Sequence, residues 1–190
     1  RGNASAGCSG GKLVSVALSN GGTRWEGTVA LPRGATELER VTDVVGMPWV
    51  SEREVCAVAF QGRVSCFDGA SGKSLWSRER ASVSGLGGDA RYVFVSDDRG
   101  SVHALDRSSG ASVWKQDRLS NRNLAAPLPL GRDVAVADAQ GYVHLLSREN
   151  GSFAARAATD GSAITATPVA LDDGFLVQTR RSGLFAFSLK

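Results

Sequence analysis

Short apolar runs separated by polar, glycine-bearing turns make up most of this chain. Val55 to Phe60, Tyr92 to Val95, Val134 to Ala137 and Phe175 to Val177 are apolar on successive residues, not on alternate ones. A strand with one wet face alternates, so these runs predict strands buried on both faces. A sheet packed between two other sheets meets that demand. No convincing helical stretch interrupts the pattern.

The runs belong to a repeat. Gly62-Arg63-Val64-Ser65-Cys66-Phe67-Asp68, then Gly72, then Trp76 is followed by Gly100-Ser101-Val102-His103-Ala104-Leu105-Asp106, then Gly110, then Trp114. Gly11, Gly21 and Trp25 keep the same spacing, Gly141 and Gly151 do so with Ala155 in place of the Trp, and Gly183 leads a last copy. At the leading glycines a hairpin turn asks for the positive φ that glycine adopts without strain. Asp68 to Gly72 and Asp106 to Gly110 predict a second turn, with the Asp carboxylate accepting from nearby backbone N–H groups. The recurring Trp predicts an aromatic wedge between neighbouring sheets. Pro48, Leu86, Pro127 and Pro168 recur at one position upstream of the leading glycines.

Repeats of about 40 residues with four short strands describe propeller blades. The expected fold is all-β, a β-propeller of about four four-stranded blades over residues 1–190, with repeats led by Gly11, Gly62, Gly100, Gly141 and Gly183. Gly62, Gly100, Gly141 and Gly183 are 38, 41 and 42 residues apart, whereas Gly11 and Gly62 are 51 apart. The excess predicts an inserted inter-blade loop, residues 26–47, and function concentrates in such departures from a scaffold.

Composition narrows the class. With 42% hydrophobic and 22% charged residues the chain is an ordinary folding sequence. Its longest apolar runs fall far short of the roughly 20 residues a membrane-spanning helix needs. The excess of basic residues is three and scattered, so no nucleic-acid footprint is expected. Ala6-Gly7-Cys8-Ser9 has the form of a lipid-attachment site without the apolar stretch it requires upstream.

Candidate chemistry is sparse. Three cysteines lack zinc-site spacing. Cys56 and Cys66 flank an expected two-residue turn at Gln61-Gly62, which would put Ala57 opposite Cys66 and leave both cysteines as buried thiols. His103 and His144 share a repeat position that holds Ser65 and Val14 in other copies, a structural pattern, not a metal site. Asp97-Asp98 and Asp172-Asp173 fall beside turns and read as solvated, not as paired acids for hydrolysis. No metal or cofactor is expected, and the chain is not expected to be an enzyme. A quinone-dependent dehydrogenase would carry a calcium site of clustered carboxylates, and commonly a vicinal disulfide, which this sequence lacks.

The Gly…Ala-Leu-Asp…Gly…Trp pattern is similar to that of PQQ-like and WD40-like blades. Thr36 to Val44 followed by Pro48, with Gly141-Tyr142-Val143-His144 and Glu149 to Phe153, resembles the BamB family, propeller lipoproteins of the outer-membrane β-barrel assembly machinery. The resemblance spans essentially the whole chain and corresponds to the C-terminal half of an eight-bladed ring. It implies a non-catalytic scaffold that binds the POTRA domains of BamA-like partners, and nascent outer-membrane barrels, at the periplasmic face of the outer membrane. Membrane association would come only through a lipid anchor outside this chain. A generic WD40-like periplasmic interaction propeller is the alternative.

The implied partner-binding residues are Arg1, which precedes Gly2 as in the family motif, and Asp43, with Leu38 and Arg40 from the mixed composition of the inserted loop. The family's second acid falls on Val45, so this part of the contact departs from its pattern. A second departure is Asn3 to Gly10, which carries no recognisable strand where the family has one. Half a ring would leave two apolar faces for a missing half or a second copy to cover.

Overall fold

The computed structural model describes residues 2–32, 42–60 and 62–189. Its strands form five antiparallel meanders, each built from neighbours in sequence. The first sheet holds β1 (Asn3–Cys8), β2 (Lys12–Ala17) and β3 (Thr23–Thr28); the second holds β4 (Val44–Val50), β5 (Glu54–Ala59), β6 (Arg63–Asp68) and β7 (Ser74–Glu79). The third comprises β8 (Leu86–Gly88), β9 (Tyr92–Ser96), β10 (Val102–Asp106) and β11 (Ser112–Gln116). The fourth comprises β12 (Leu128–Leu130), β13 (Asp133–Ala137), β14 (Tyr142–Ser147) and β15 (Phe153–Ala158), and the fifth β16 (Val169–Leu171), β17 (Gly174–Gln178) and β18 (Leu184–Ser188). Three of the expected four-stranded blades are therefore complete among the described residues, flanked by two three-stranded sheets.

The chain divides into two compact units, Arg1–Leu86 with Ser108–Gly110, and Gly87–Arg107 with Ala111–Lys190. In the first, Val55, Ala57 and Ala59 of β5 pack with Leu13, Trp25 and Phe67. In the second, β13 is shared between two cores. Val134 and Val136 join Phe94 and Trp114, while Ala135 and Ala137 join Phe175 and Val177. Consecutive apolar residues are buried on opposite faces, as the sequence predicts. Pro48 lies within β4, and Pro127 and Pro168 directly precede β12 and β16; each of these strands is the first and an edge of its sheet, where a missing N–H costs no ladder bond.

The indoles join successive repeats. Trp25 lies against Gly72, Trp76 against Gly110 and Trp114 against Gly151. Each of these glycines has φ near +70°, and a Cβ on any of them would stand 2.5–2.7 Å from the ring. Trp25 and Trp114 add Nε1–H bonds to the carbonyls of Gly69 and Arg148, at 3.0 and 2.8 Å. The fixed spacing of Gly and Trp is thus the two halves of one joint, with the Trp of one repeat and the turn of the next.

Several expectations change. Asn3–Cys8 does form a strand, paired residue for residue with β2. Its small side chains carry no apolar signal because an edge strand needs only its backbone to pair. The β5–β6 hairpin closes at Val58 opposite Val64, with five residues between them instead of an even number. Cys56 therefore faces Cys66, their Cα atoms 4.1 Å apart, and the two form a disulfide. Both are fully buried, and they stand in one cross-sheet row between Trp49 and Trp76. The leading-glycine turns are longer than two residues, running from Asp97 to Ser101 and from Asp138 to Tyr142. Gly100 and Gly141 have the expected positive φ, whereas in the last copy Ser182 carries it at φ 65. The inserted segment is shorter than residues 26–47, since 26–28 complete β3 and 44–47 begin β4.

Candidate functional site

Residues 29–43 connect the first two sheets. Val29 and Ala30 are buried, and both donate backbone N–H groups to the Gly11 carbonyl. Gly11 adopts φ +73 there, and any Cβ would collide with the Ala30 carbonyl oxygen. The anchored end then gives way to exposed Leu31. Arg1, Leu38 and Arg40 lie outside the described residues.

The chain returns at Thr42, which is buried. Half-buried Asp43 accepts the Gly10 N–H through Oδ1 at 2.9 Å, and its carbonyl accepts the Phe60 N–H at 2.8 Å. The carboxylate thus ties the turn after β1 to the start of β4 and keeps a second oxygen. Val45 pairs with Val58 and is half-buried. Beyond it Gly46, Met47 and Pro48 stand opposite Ala57 alone, a bulge that turns Met47 outward until 85% of it is exposed. Arg1 adjoins Gly2, whose carbonyl accepts the Leu18 N–H, whereas Asp43 holds Gly10. Gly2 and the Gly10 that Asp43 holds therefore stand at opposite ends of β1, whose six residues span about 20 Å at roughly 3.3 Å per residue.

The histidines have partners that residue spacing could have disclosed, since an Asp stands six residues before each. His103 Nε2 lies 2.9 Å from Asp97 Oδ2, and His144 Nε2 lies 2.9 Å from Asp138 Oδ2. Asp97 is not a solvated acid. Its other oxygen accepts the N–H groups of Arg99 and Ser101, while Asp98 beside it is exposed. Asp138 accepts in the same way from Gln140 and Tyr142, and also from Arg122 Nη1 at 2.6 Å.

Burial pushes the Asp138 carboxyl upward, but the bonds from His144, the Tyr142 N–H, Arg122 and the Gln140 N–H outweigh it and hold the group at about 2. A carboxyl depressed in the folded state stabilises above its unfolded value near 4, and that stability is lost as pH falls toward the folded value. Acid titration from pH 5 to pH 2 is therefore expected to remove about 2 kcal/mol through this group. Urea melts across that range should show the Asp138→Asn variant losing less than the parent. Among the described residues no group of three or more His, Cys, Asp or Glu is placed to hold a metal ion.

Serial antiparallel meanders, the first three each with an indole seated on the turn of the next repeat, define a run of β-propeller blades. A family model described as outer membrane protein assembly factor BamB matches residues 1–116. A relative of that name from Nitrosomonas eutropha is 45% identical over 191 residues, covering 100% of this chain and 47% of that protein. The chain belongs to the family of the outer membrane protein assembly factor BamB. A second relative of that name, from Bordetella pertussis, is 47% identical over 94% of this chain and 47% of its own length. The crystal structure of BamB from Moraxella catarrhalis matches with a TM-score of 0.89 at 26% identity, over 97% of this chain and 56% of that one. The chain spans about half the length of the curated relatives it matches.

Proposed function

We propose that this chain is a non-catalytic scaffold in the assembly of outer-membrane β-barrel proteins, working at the periplasmic face of the outer membrane by binding POTRA domains of a BamA-like partner. The observation that carries this reading is the similarity, running the length of the chain, to proteins named as outer membrane protein assembly factors. The buried Cys56–Cys66 disulfide supports an oxidising compartment such as the periplasm. The surface we assign to the partner comprises Asp43 and Val45 with Arg1, Leu38 and Arg40.

Asp43 has one carboxylate oxygen committed to Gly10 and one left for a basic group on the partner. Biolayer interferometry with purified POTRA domains should show Asp43→Arg weakening binding about tenfold, equivalent to about 1.4 kcal/mol. Arg1→Glu should weaken it by a similar factor. Unchanged dissociation constants in both variants would remove the assignment. Binding of an unrelated periplasmic protein with no affinity for POTRA domains would favour the generic adaptor instead.

A further inference from the structure

A cavity of about 370 Å³ in the second unit is lined by Arg118, Leu119, Arg122, His144, Phe153 and Arg156, with Ala154 and Ala155. Three arginines line it from two stretches of chain, and no Asp or Glu is among the lining residues. One positive charge is answered, because Arg122 pairs with fully buried Asp138. The other two are not. Among the described residues Arg156 makes no ion pair and lies over the Tyr142 ring, 5.0 Å from its centre, and Arg118 is held only through its backbone N–H. By contrast Arg148 pairs with Asp89 and Glu149, and Arg91 with Glu149.

A second, independent observation lies in the same wall. His144 is 2% exposed and spends Nε2 on Asp138, while Nδ1 meets no hydrogen-bond partner. The remaining surface is apolar. Leu119 is buried, and Phe153, 39% exposed, meets the His144 ring edge to face with centroids 6.1 Å apart. Phe153 and Arg156 belong to β15, an edge strand bonded on one side to β14.

We infer that this cavity binds an extended acidic peptide, with a carboxylate between Arg118 and Arg156 and a neighbouring apolar side chain against Phe153 and Leu119. Charge complementarity selects the carboxylate, since two unpaired guanidiniums in a partly enclosed site favour a planar anion that both can bond. The apolar wall and the free edge of β15 select a peptide over a bare anion, because an added strand would place alternate side chains toward one face. The proposal does not depend on the POTRA reading, as none of its residues belongs to that surface.

Fluorescence anisotropy tests it with a fluorescein-labelled, C-terminally amidated octapeptide alternating Glu and Phe. The same peptide with Gln for Glu, a Gln peptide with a free C-terminal carboxylate, inorganic phosphate, and vesicles containing anionic lipid complete the set. The Glu peptide should bind, and Arg118→Gln with Arg156→Gln should weaken it at least about tenfold. Both side chains are exposed, so circular dichroism and the melting temperature should match the parent. Arg24→Gln with Arg53→Gln removes the same charge elsewhere and should leave binding intact. Rescue of the Gln peptide by a free C-terminus would assign the carboxylate to a chain end; no rescue would assign it to side chains. Equal binding of the Gln peptides and the Glu peptide, or equal loss in the control variant, would overturn the site. Phosphate or vesicle binding that depends on Arg118 and Arg156 without peptide binding would overturn the peptide.

Discussion

Replacing Trp114 by alanine is expected to destabilise the chain by about 3–5 kcal/mol, the cost of truncating a buried aromatic that its surroundings cannot refill. For 190 residues each kcal/mol moves the melting temperature by roughly 2–4 °C, so the fall should be plain in a thermal melt. The loss is larger than packing area alone suggests because the indole does three things at once. It meets Phe94 with ring centroids 5.9 Å apart, donates to the Arg148 carbonyl, and covers Gly151. Gly151→Ala should also destabilise, since its Cβ would stand 2.5 Å from the ring at φ +71. In the double variant the clash disappears, so the two losses should fall short of additive by more than about 0.5 kcal/mol. Additive losses would mean that Trp114 and Gly151 do not form one joint.

Removing the disulfide is expected to cost about 2–4 kcal/mol, measured as the stability lost in a Cys56→Ala, Cys66→Ala variant. The bond links residues ten apart in sequence, a short loop whose closure contributes toward the lower end of that range. Its burial adds to this, because two alanines leave space between Trp49 and Trp76 that the flanking strands would have to fill. Without reductant, iodoacetamide should modify the native protein at Cys8 alone, and at all three cysteines only after reduction in denaturant. Three adducts by mass spectrometry before reduction would contradict the bridge.

Much of the fold is legible from residue order because the repeat writes each blade in the same terms. The Gly, Gly and Trp spacing marks turns and joints, and the consecutive apolar residues of β13 report burial on both faces. What escapes the sequence is set by single-residue shifts or by distance. One extra residue in the β5–β6 turn converts the expected free thiols into a disulfide, and nothing in the composition of residues 59–63 reveals it. Asn3–Cys8 is invisible as a strand because its pairing is all backbone.

The candidate surfaces divide in the same way. Asp43 can be named from its place in the chain, but its bond to Gly10 exists only once β1 is laid beside β2. Arg118 and Arg156 share no pattern in sequence, and only the stacking of sheets brings them to one cavity. Met47 gives no sign of exposure until the bulge opposite Ala57 is seen.

The meander order of every sheet carries one further consequence. No ladder among the described strands waits for a partner from a remote part of the chain, and even the disulfide joins neighbouring strands. Loop closures are short, so their entropic cost is small and contact order stays low within each sheet. A blade can close soon after its own forty or so residues become available, without the rest. Such a chain suits delivery end first, each blade pairing its own strands as they arrive and covering its remaining apolar face when the next blade packs on it.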